Sequence, residues 1–241
     1  MSRYLKFEVG GIYHIFNRGV EKRDIFLDDT DRWRFLQALF LFNNKTTSHR
    51  LLWDLAVRKK RLNFKTLRAS LEEIVPVRTP LVRIIADCFM PNHYHLVLEE
   101  LQERGISNFM HKLGMGFAKY FNERYARVGG LFQGPFRAVR VENDDQMKYL
   151  LAYLHVVNPG QLVEPDLKNR GVLNAKAILK FAEEYPWSTH KEYLGLRESV
   201  VAEKGIAGLL FPSSQEYKEF VESVIEGKQY EQYDSSLYLD K

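Results

Sequence analysis

The stretch Met90-Pro91-Asn92-His93-Tyr94-His95-Leu96-Val97-Leu98 decides the fold. Pro91-Asn92 reads as a turn, and the residues after it as a strand running from His93 to Glu99. Side chains alternate along a strand, so Tyr94, Leu96 and Leu98 share the face that can meet a core. His93 and His95 then stand side by side on the other face. Upstream, Leu81 to Ala86 is a buried-type strand that forms the first arm of this hairpin.

Working outward, Gly11 to Arg18 is a strand rich in β-branched and aromatic residues. Asp28 to Asp31 offer helix N-caps ahead of the apolar stripe Trp33, Phe35, Leu36, Leu39, Phe40 and Phe42. Past the hairpin, Ser107 opens a long amphipathic helix that ends near Gly129-Gly130, and Phe136 to Val141 is a fourth strand. Asn143 to Gln146 has the pattern of a capping box, opening a helix that stops at Asn158-Pro159. The order strand, helix, strand, strand, helix, strand, helix predicts an α+β fold on the split βαβ plan, an antiparallel sheet with packed helices. Residues 1–160 form the expected catalytic domain, with a basic insertion over about 45–80. Residues 161–241 form a helical, acidic C-terminal extension.

The chain of 241 residues has 45% hydrophobic and 27% charged residues, the balance of a globular protein with a core. No apolar run is long enough for a membrane span, and no secretory leader is visible. With Cys88 as the single cysteine, an internal disulfide is impossible, and a cytoplasmic location is expected. The net charge of +4 is unevenly spread: Phe181 to Lys241 holds 12 acidic and 6 basic residues, leaving +10 on the rest. A basic body points toward a polyanionic partner. The insertion carries its densest run, Arg58-Lys59-Lys60-Arg61, which suits phosphate contact as well as a solvated face.

Two neutral imidazoles plus an oxygen ligand suit a divalent cation such as Mg²⁺ or Mn²⁺, with phosphate oxygens completing its shell. The third histidine of a His-x-His-x-His run is missing, because Val97 holds that position, and no HExxH zinc signature is present. On the helix that begins after Asn143, Met147, Leu150, Leu151 and Leu154 form the apolar stripe; Tyr153 lies at its edge and Tyr149 further round toward solvent. A tyrosine attacks phosphorus only with help, since its pKa is about 10. A nearby cation supplies that help, which calls for the metal and the phenol at one place.

Five pieces of the chain, taken in order, resemble the HUH single-tyrosine transposases of insertion sequences, in particular the REP-associated tyrosine transposases. They are Tyr13-His14-Ile15-Phe16-Asn17-Arg18-Gly19, then Met90 to Leu96, then Phe121-Asn122-Glu123-Arg124-Tyr125 with Leu131-Phe132-Gln133-Gly134, and finally Tyr153-Leu154-His155-Val156-Val157-Asn158-Pro159. A weaker likeness continues through Tyr185-Pro186-Trp187-Ser188 and Tyr193-Leu194-Gly195. The resemblance implies a ferredoxin-like core acting on single-stranded or hairpin DNA, with His93 and His95 as metal ligands. It implies Tyr153 as the nucleophile, a 5′-phosphotyrosine link, and dependence on Mg²⁺ or Mn²⁺.

The family has a polar third ligand four residues after the tyrosine. Here that residue is Val157, and five residues rather than four precede Pro159. A π-bulge would absorb the extra residue and return Asn158 to the Tyr153 face. His155 is the competing ligand, about 160° around a regular helix from Tyr153. Asn17, Arg18, Lys119, Arg124 and Arg127 are the further candidates for DNA contact. His14, His111 and Phe132 read as packing residues. The alternatives are a nucleic-acid-binding regulator that has lost its metal shell and a metal-dependent phosphodiesterase of small nucleotides. A monomer and a homodimer are both compatible with the sequence.

Overall fold

The computed structural model describes residues 5–46, 63–75 and 77–227. Arg58, Lys59, Lys60 and Arg61, and the acidic tail from Gln229, lie outside the described residues. Four strands, β1 (Ile12–Arg18), β2 (Val82–Met90), β3 (His93–Glu100) and β4 (Arg137–Arg140), form one sheet in the order β2-β3-β1-β4. Every pair is antiparallel. This is the split βαβ, ferredoxin-like plan: α1 (Asp29–Phe42) links β1 to β2 while β3 runs between them.

Asp28 caps α1 by accepting from the Asp31 N–H. After α2 (Phe64–Ile74) and the hairpin, α3 (Gly105–Arg124) lies beside α1. Phe35 of α1 meets both the Tyr94 ring and the Phe117 ring of α3, with ring centroids 4.9 Å apart in each case, so α1 and α3 pack together on the Tyr94 face. A Cβ on Gly116 would stand 2.5 Å from the Phe42 ring, so this close crossing needs a glycine.

The long helix α3 starts earlier and stops earlier than the sequence predicts. The Glu100 carboxylate, at the end of β3, accepts from the Gly105 and Ile106 N–H groups at 3.1 and 2.9 Å. A cap from the preceding strand takes the place of Ser107. Ala126, in left-handed backbone (φ 49°), follows close after the helix end.

The opposite sheet face is covered by the run α4 (Asp144–Ala152), a π-helical turn (Tyr153–Val157) and α5 (Asn158–Gly160). Asn143 caps α4 through the Gln146 N–H, and Gln146 Oε1 accepts from the Glu142 N–H. The helical run does not stop at Asn158-Pro159. A proline ring presses on the carbonyl four residues back, and the π-turn before Pro159 has already shifted the ladder by one residue.

The described part of the C-terminal extension comprises α6 (Leu167–Arg170), α7 (Ala175–Glu184), α8 (His190–Tyr193) and α9 (Ser214–Ile225). It packs on this helical run, and its buried residues join one continuous core with the sheet. Backbone bonds from Phe89 N to Trp187 O (2.8 Å) and from Thr189 N to Asp87 O (3.1 Å) close the outer edge of β2. An edge strand left open would pair with other chains. Tyr149, expected toward solvent, is 5% exposed and stands edge-on to Phe220 of α9 at 5.2 Å; the extension covers the helix face that amphipathicity alone leaves outside.

Candidate active site

Strand register builds the imidazole side. His95 lies opposite Phe16 on β1 and Cys88 on β2, and His93 opposite Arg18 and Met90. Their ring centroids are 4.9 Å apart. His14, two residues along β1 from Phe16, shares this face, and its Nε2 lies 2.8 Å from Nδ1 of His95. Nδ1 of His93 lies 2.6 Å from Oδ1 of Asn92. An amide oxygen only accepts, so His93 carries its proton on Nδ1.

A second group that holds Nδ1 is the usual device for orienting a metal-binding histidine. Coordination by either ring then falls to Nε2. The donor set therefore fits a cation with open positions, although among the described residues no group of three His, Cys, Asp or Glu side chains could hold a metal. The third donor has to be of another kind, an amide oxygen, water or phosphate.

The phenol side is helical. The Tyr153 ring stands edge-on to His95, with centroids 5.6 Å apart. The Asn158 N–H donates to the Tyr153 carbonyl, five residues back, which defines the π-turn. This geometry gives Asn158 the side of the helix that Val157 would take in a regular α-helix. Lys168 Nζ donates to the Tyr153 hydroxyl at 2.7 Å and reaches Asn158 Oδ1 at 3.4 Å, so both side chains face one group. Gln161 Nε2 also donates to Asn158 Oδ1, at 3.1 Å.

His155 faces elsewhere. Its Nδ1 meets the Tyr217 hydroxyl at 2.7 Å and its Nε2 the Thr189 hydroxyl at 2.9 Å. Burial, helped by His190 and Lys204, holds its pKa well below the usual histidine range. His155 thus ties the π-turn to the extension and does not join the imidazole pair.

The predicted DNA contacts separate. Arg18 is on the imidazole face, with its guanidinium 3.3 Å from Gln133 Oε1, while Asn17 holds the Gly134 carbonyl at 3.0 Å. Lys119, Arg124 and Arg127 belong to α3 and its end, in the layer on the other side of the sheet. Lys119 is exposed and pairs with Glu123 at 3.7 Å, and the Arg127 guanidinium lies over the Phe121 ring. Arg124 is a structural tie: it reaches Asp28 and Asp31 at 2.6 Å each, and the fully buried Asp31 also accepts from Tyr120, Tyr125 and the Leu27 N–H. Hydrogen bonding to Asp28 raises the Arg124 pKa, and Arg124 in turn lowers that of Asp28.

Phe132 packs edge-on to Tyr94 at 5.9 Å, as expected of a packing residue. His111, also read as packing, is exposed on α3. The sequence reading missed the role of His14 and two cations. Arg137 lies opposite Phe16 on β4, so it shares a row with His95 and is exposed; strand register would have found both it and His14. Lys168 carried no signal, because it comes from a short helix in a region without a pattern.

No protein-family profile matches the sequence, and no curated protein matches it. Among solved structures, the chain is similar to that of a REP-associated tyrosine transposase bound to a REP hairpin. The two are 13% identical with a TM-score of 0.44, over 84% of this chain and 92% of that one. The chemistry of the site has to be read from this chain's own residues.

Proposed function

We propose that this protein is a divalent-metal-dependent single-strand DNA endonuclease and strand transferase, a transposase-like enzyme with Tyr153 as its nucleophile. The observation that carries the reading is the 5.6 Å approach of the Tyr153 ring to His95, from a segment far along the chain. His93 and His95 would hold Mg²⁺ or Mn²⁺ through Nε2, with Asn158 as a further oxygen donor. When bound, the cation would supply positive charge to the phosphoryl oxygens as they gain charge.

The chain's own residues do the rest. Asn92 and His14 fix the two rings. The Tyr153 oxygen attacks phosphorus, a new P–O bond forms, and the bond to the 3′-oxygen breaks. The phenol proton passes to water and the departing 3′-oxygen takes one from water. The product is a 5′-phosphotyrosine with a free 3′-hydroxyl, and attack by another 3′-hydroxyl reverses the step and joins strands. Arg18 and Arg137, on the imidazole face, would hold the backbone phosphates. Tyr153 is 1% exposed, so a strand reaches it only after its cover shifts.

The test is to incubate the protein with labelled single-stranded hairpins and Mn²⁺ and look for a denaturant-resistant protein–DNA adduct. The adduct should form, vanish in Tyr153→Phe and persist in Tyr149→Phe. Hairpin binding with no adduct under any divalent metal would leave a regulator. The ammonium and the amide already on Asn158 Oδ1 are the observation that favours that second reading.

A further inference from the structure

The hydroxyl of Tyr153 meets a cation from the C-terminal extension. Lys168 Nζ lies 2.7 Å from that oxygen and 4.7 Å from the ring centroid. Its placement is constrained from several sides. Leu167, its neighbour, is 2% exposed. A Cβ on Gly160 would come 3.2 Å from Leu167 Cδ1 and 2.8 Å from Ile178 Cγ2, so the turn entering this segment is packed against α6 and α7. Glu164 closes the other side, with its carboxylate accepting from the N–H groups of Leu173 and Asn174 at 3.0 and 2.8 Å. A half-buried lysine on a helix of four residues is thus held against one phenol oxygen.

We propose that Lys168 is a positioning residue for the Tyr153 nucleophile, so that the C-terminal extension is part of the catalytic machinery. The inference rests on the cleavage reading above. An ammonium donates and does not accept, so it occupies a lone pair of the phenol oxygen and turns the O–H bond away from itself. The phenol proton still leaves to water. Lys168 fixes the oxygen against the imidazole side and puts fixed positive charge beside it where negative charge develops as the phenol proton leaves, and again when this oxygen departs in the joining step, an arrangement that needs no rearrangement during the reaction.

The experiment is single-turnover adduct formation with saturating hairpin and Mn²⁺ in four proteins: wild type, Lys168→Met, Lys168→Arg, and Lys168→Cys before and after alkylation with 2-bromoethylamine. Cys88 is buried, so the new thiol is the one that reacts. Loss of one preorganised donor at a developing charge costs about 100- to 1,000-fold. Lys168→Met should slow the step by that order with hairpin affinity unchanged. Lys168→Arg should keep part of the rate, and alkylation should restore the Lys168→Cys rate by at least tenfold, on the order expected for recovering a charged donor.

A purely structural lysine would give equal losses in Met and Arg variants and no recovery on alkylation, which overturns the proposal. A Lys168→Met protein that reacts faster and binds Mn²⁺ more tightly overturns it too, since the lysine would then be a blocker. Wild-type protein that forms no adduct sinks the cleavage reading itself. The Lys168–Tyr153 contact is read separately, as a shift of the Lys168 ¹⁵Nζ resonance in Tyr153→Phe.

Discussion

The imidazole half of the site stands on adjacent strands, whereas the phenol half is assembled from a helix turn and a segment 15 residues further on. In the first half, sheet register alone fixes which side chains meet: once β1 pairs with β3, His14, Phe16 and Arg18 must share a face with His95 and His93. In the second half, one inserted residue decides the outcome. Without the π-turn, Val157 and not Asn158 would stand beside Tyr153. β1 and β3 pair without a bulge from Ile12 to Arg18, so a one-residue slip there would turn every side chain over, whereas the helix absorbs its extra residue locally. A site built across the two joins a rigid half to an adjustable one.

The comparison breaks most visibly at His95. His95→Ala should lower Mn²⁺ affinity by at least about 100-fold, and His14→Ala, which only frees the ring, by about 10- to 100-fold. Calorimetric titration with Mn²⁺ reads both; equal or negligible losses would mean the imidazole half does not work through ring orientation.

Arg124→Ala tests whether α3 belongs to the scaffold. It leaves the buried Asp31 without its cation, which should cost about 3 kcal/mol in urea unfolding, as broken buried pairs do. Its effect on hairpin binding should be small. A large loss of binding with unchanged stability would put DNA on the α1–α3 layer instead.

The tie between the π-turn and the extension is sharpened by pH. Burial, then the charge of Lys191, pushes the His190 pKa down to about 3 from 6.5, and His155 is shifted in the same direction. The folded state keeps both rings neutral while the unfolded chain takes up protons below pH 6.5. Their contribution to stability is therefore complete above about pH 6.5 and is lost as pH falls toward about 3. Asp87 tilts the other side: burial, then the charge of Glu192, raises it to about 8, so it weakens the fold as pH rises from 3.8 to that value. His190→Gln should flatten the rise in urea-unfolding stability between about pH 3 and 6.5, and Asp87→Asn should remove the opposing fall that continues above pH 6.5 to about 8. If neither slope changes, the tie is weaker than its hydrogen bonds suggest.

The smallest expected effect is at the rim. Arg137→Ala should reduce the slope of log affinity against log salt for hairpin DNA by about 1. An unchanged slope would remove β4 from the DNA path.

Much of this architecture was legible. The four strands followed from alternation and turn residues, and the Asp28 and Asn143 caps from their side-chain chemistry. The π-turn followed from setting the Tyr153-to-Pro159 spacing beside that of the family the sequence resembles, which is one residue shorter. What was illegible depends on contacts between distant segments. Tyr149 is buried by α9, Glu100 caps a helix from the end of a strand, and Lys168 comes from a region with no periodicity of its own. Arg124 sits in a motif that suggested DNA, yet its partners are the acids at the start of α1.

The most direct measurement is anomalous scattering from crystals soaked in Mn²⁺. The account predicts a peak within coordination distance of Nε2 of both His93 and His95, on the side of the sheet where Tyr153 stands. A peak at His155, or none beside the pair at millimolar Mn²⁺, would contradict it.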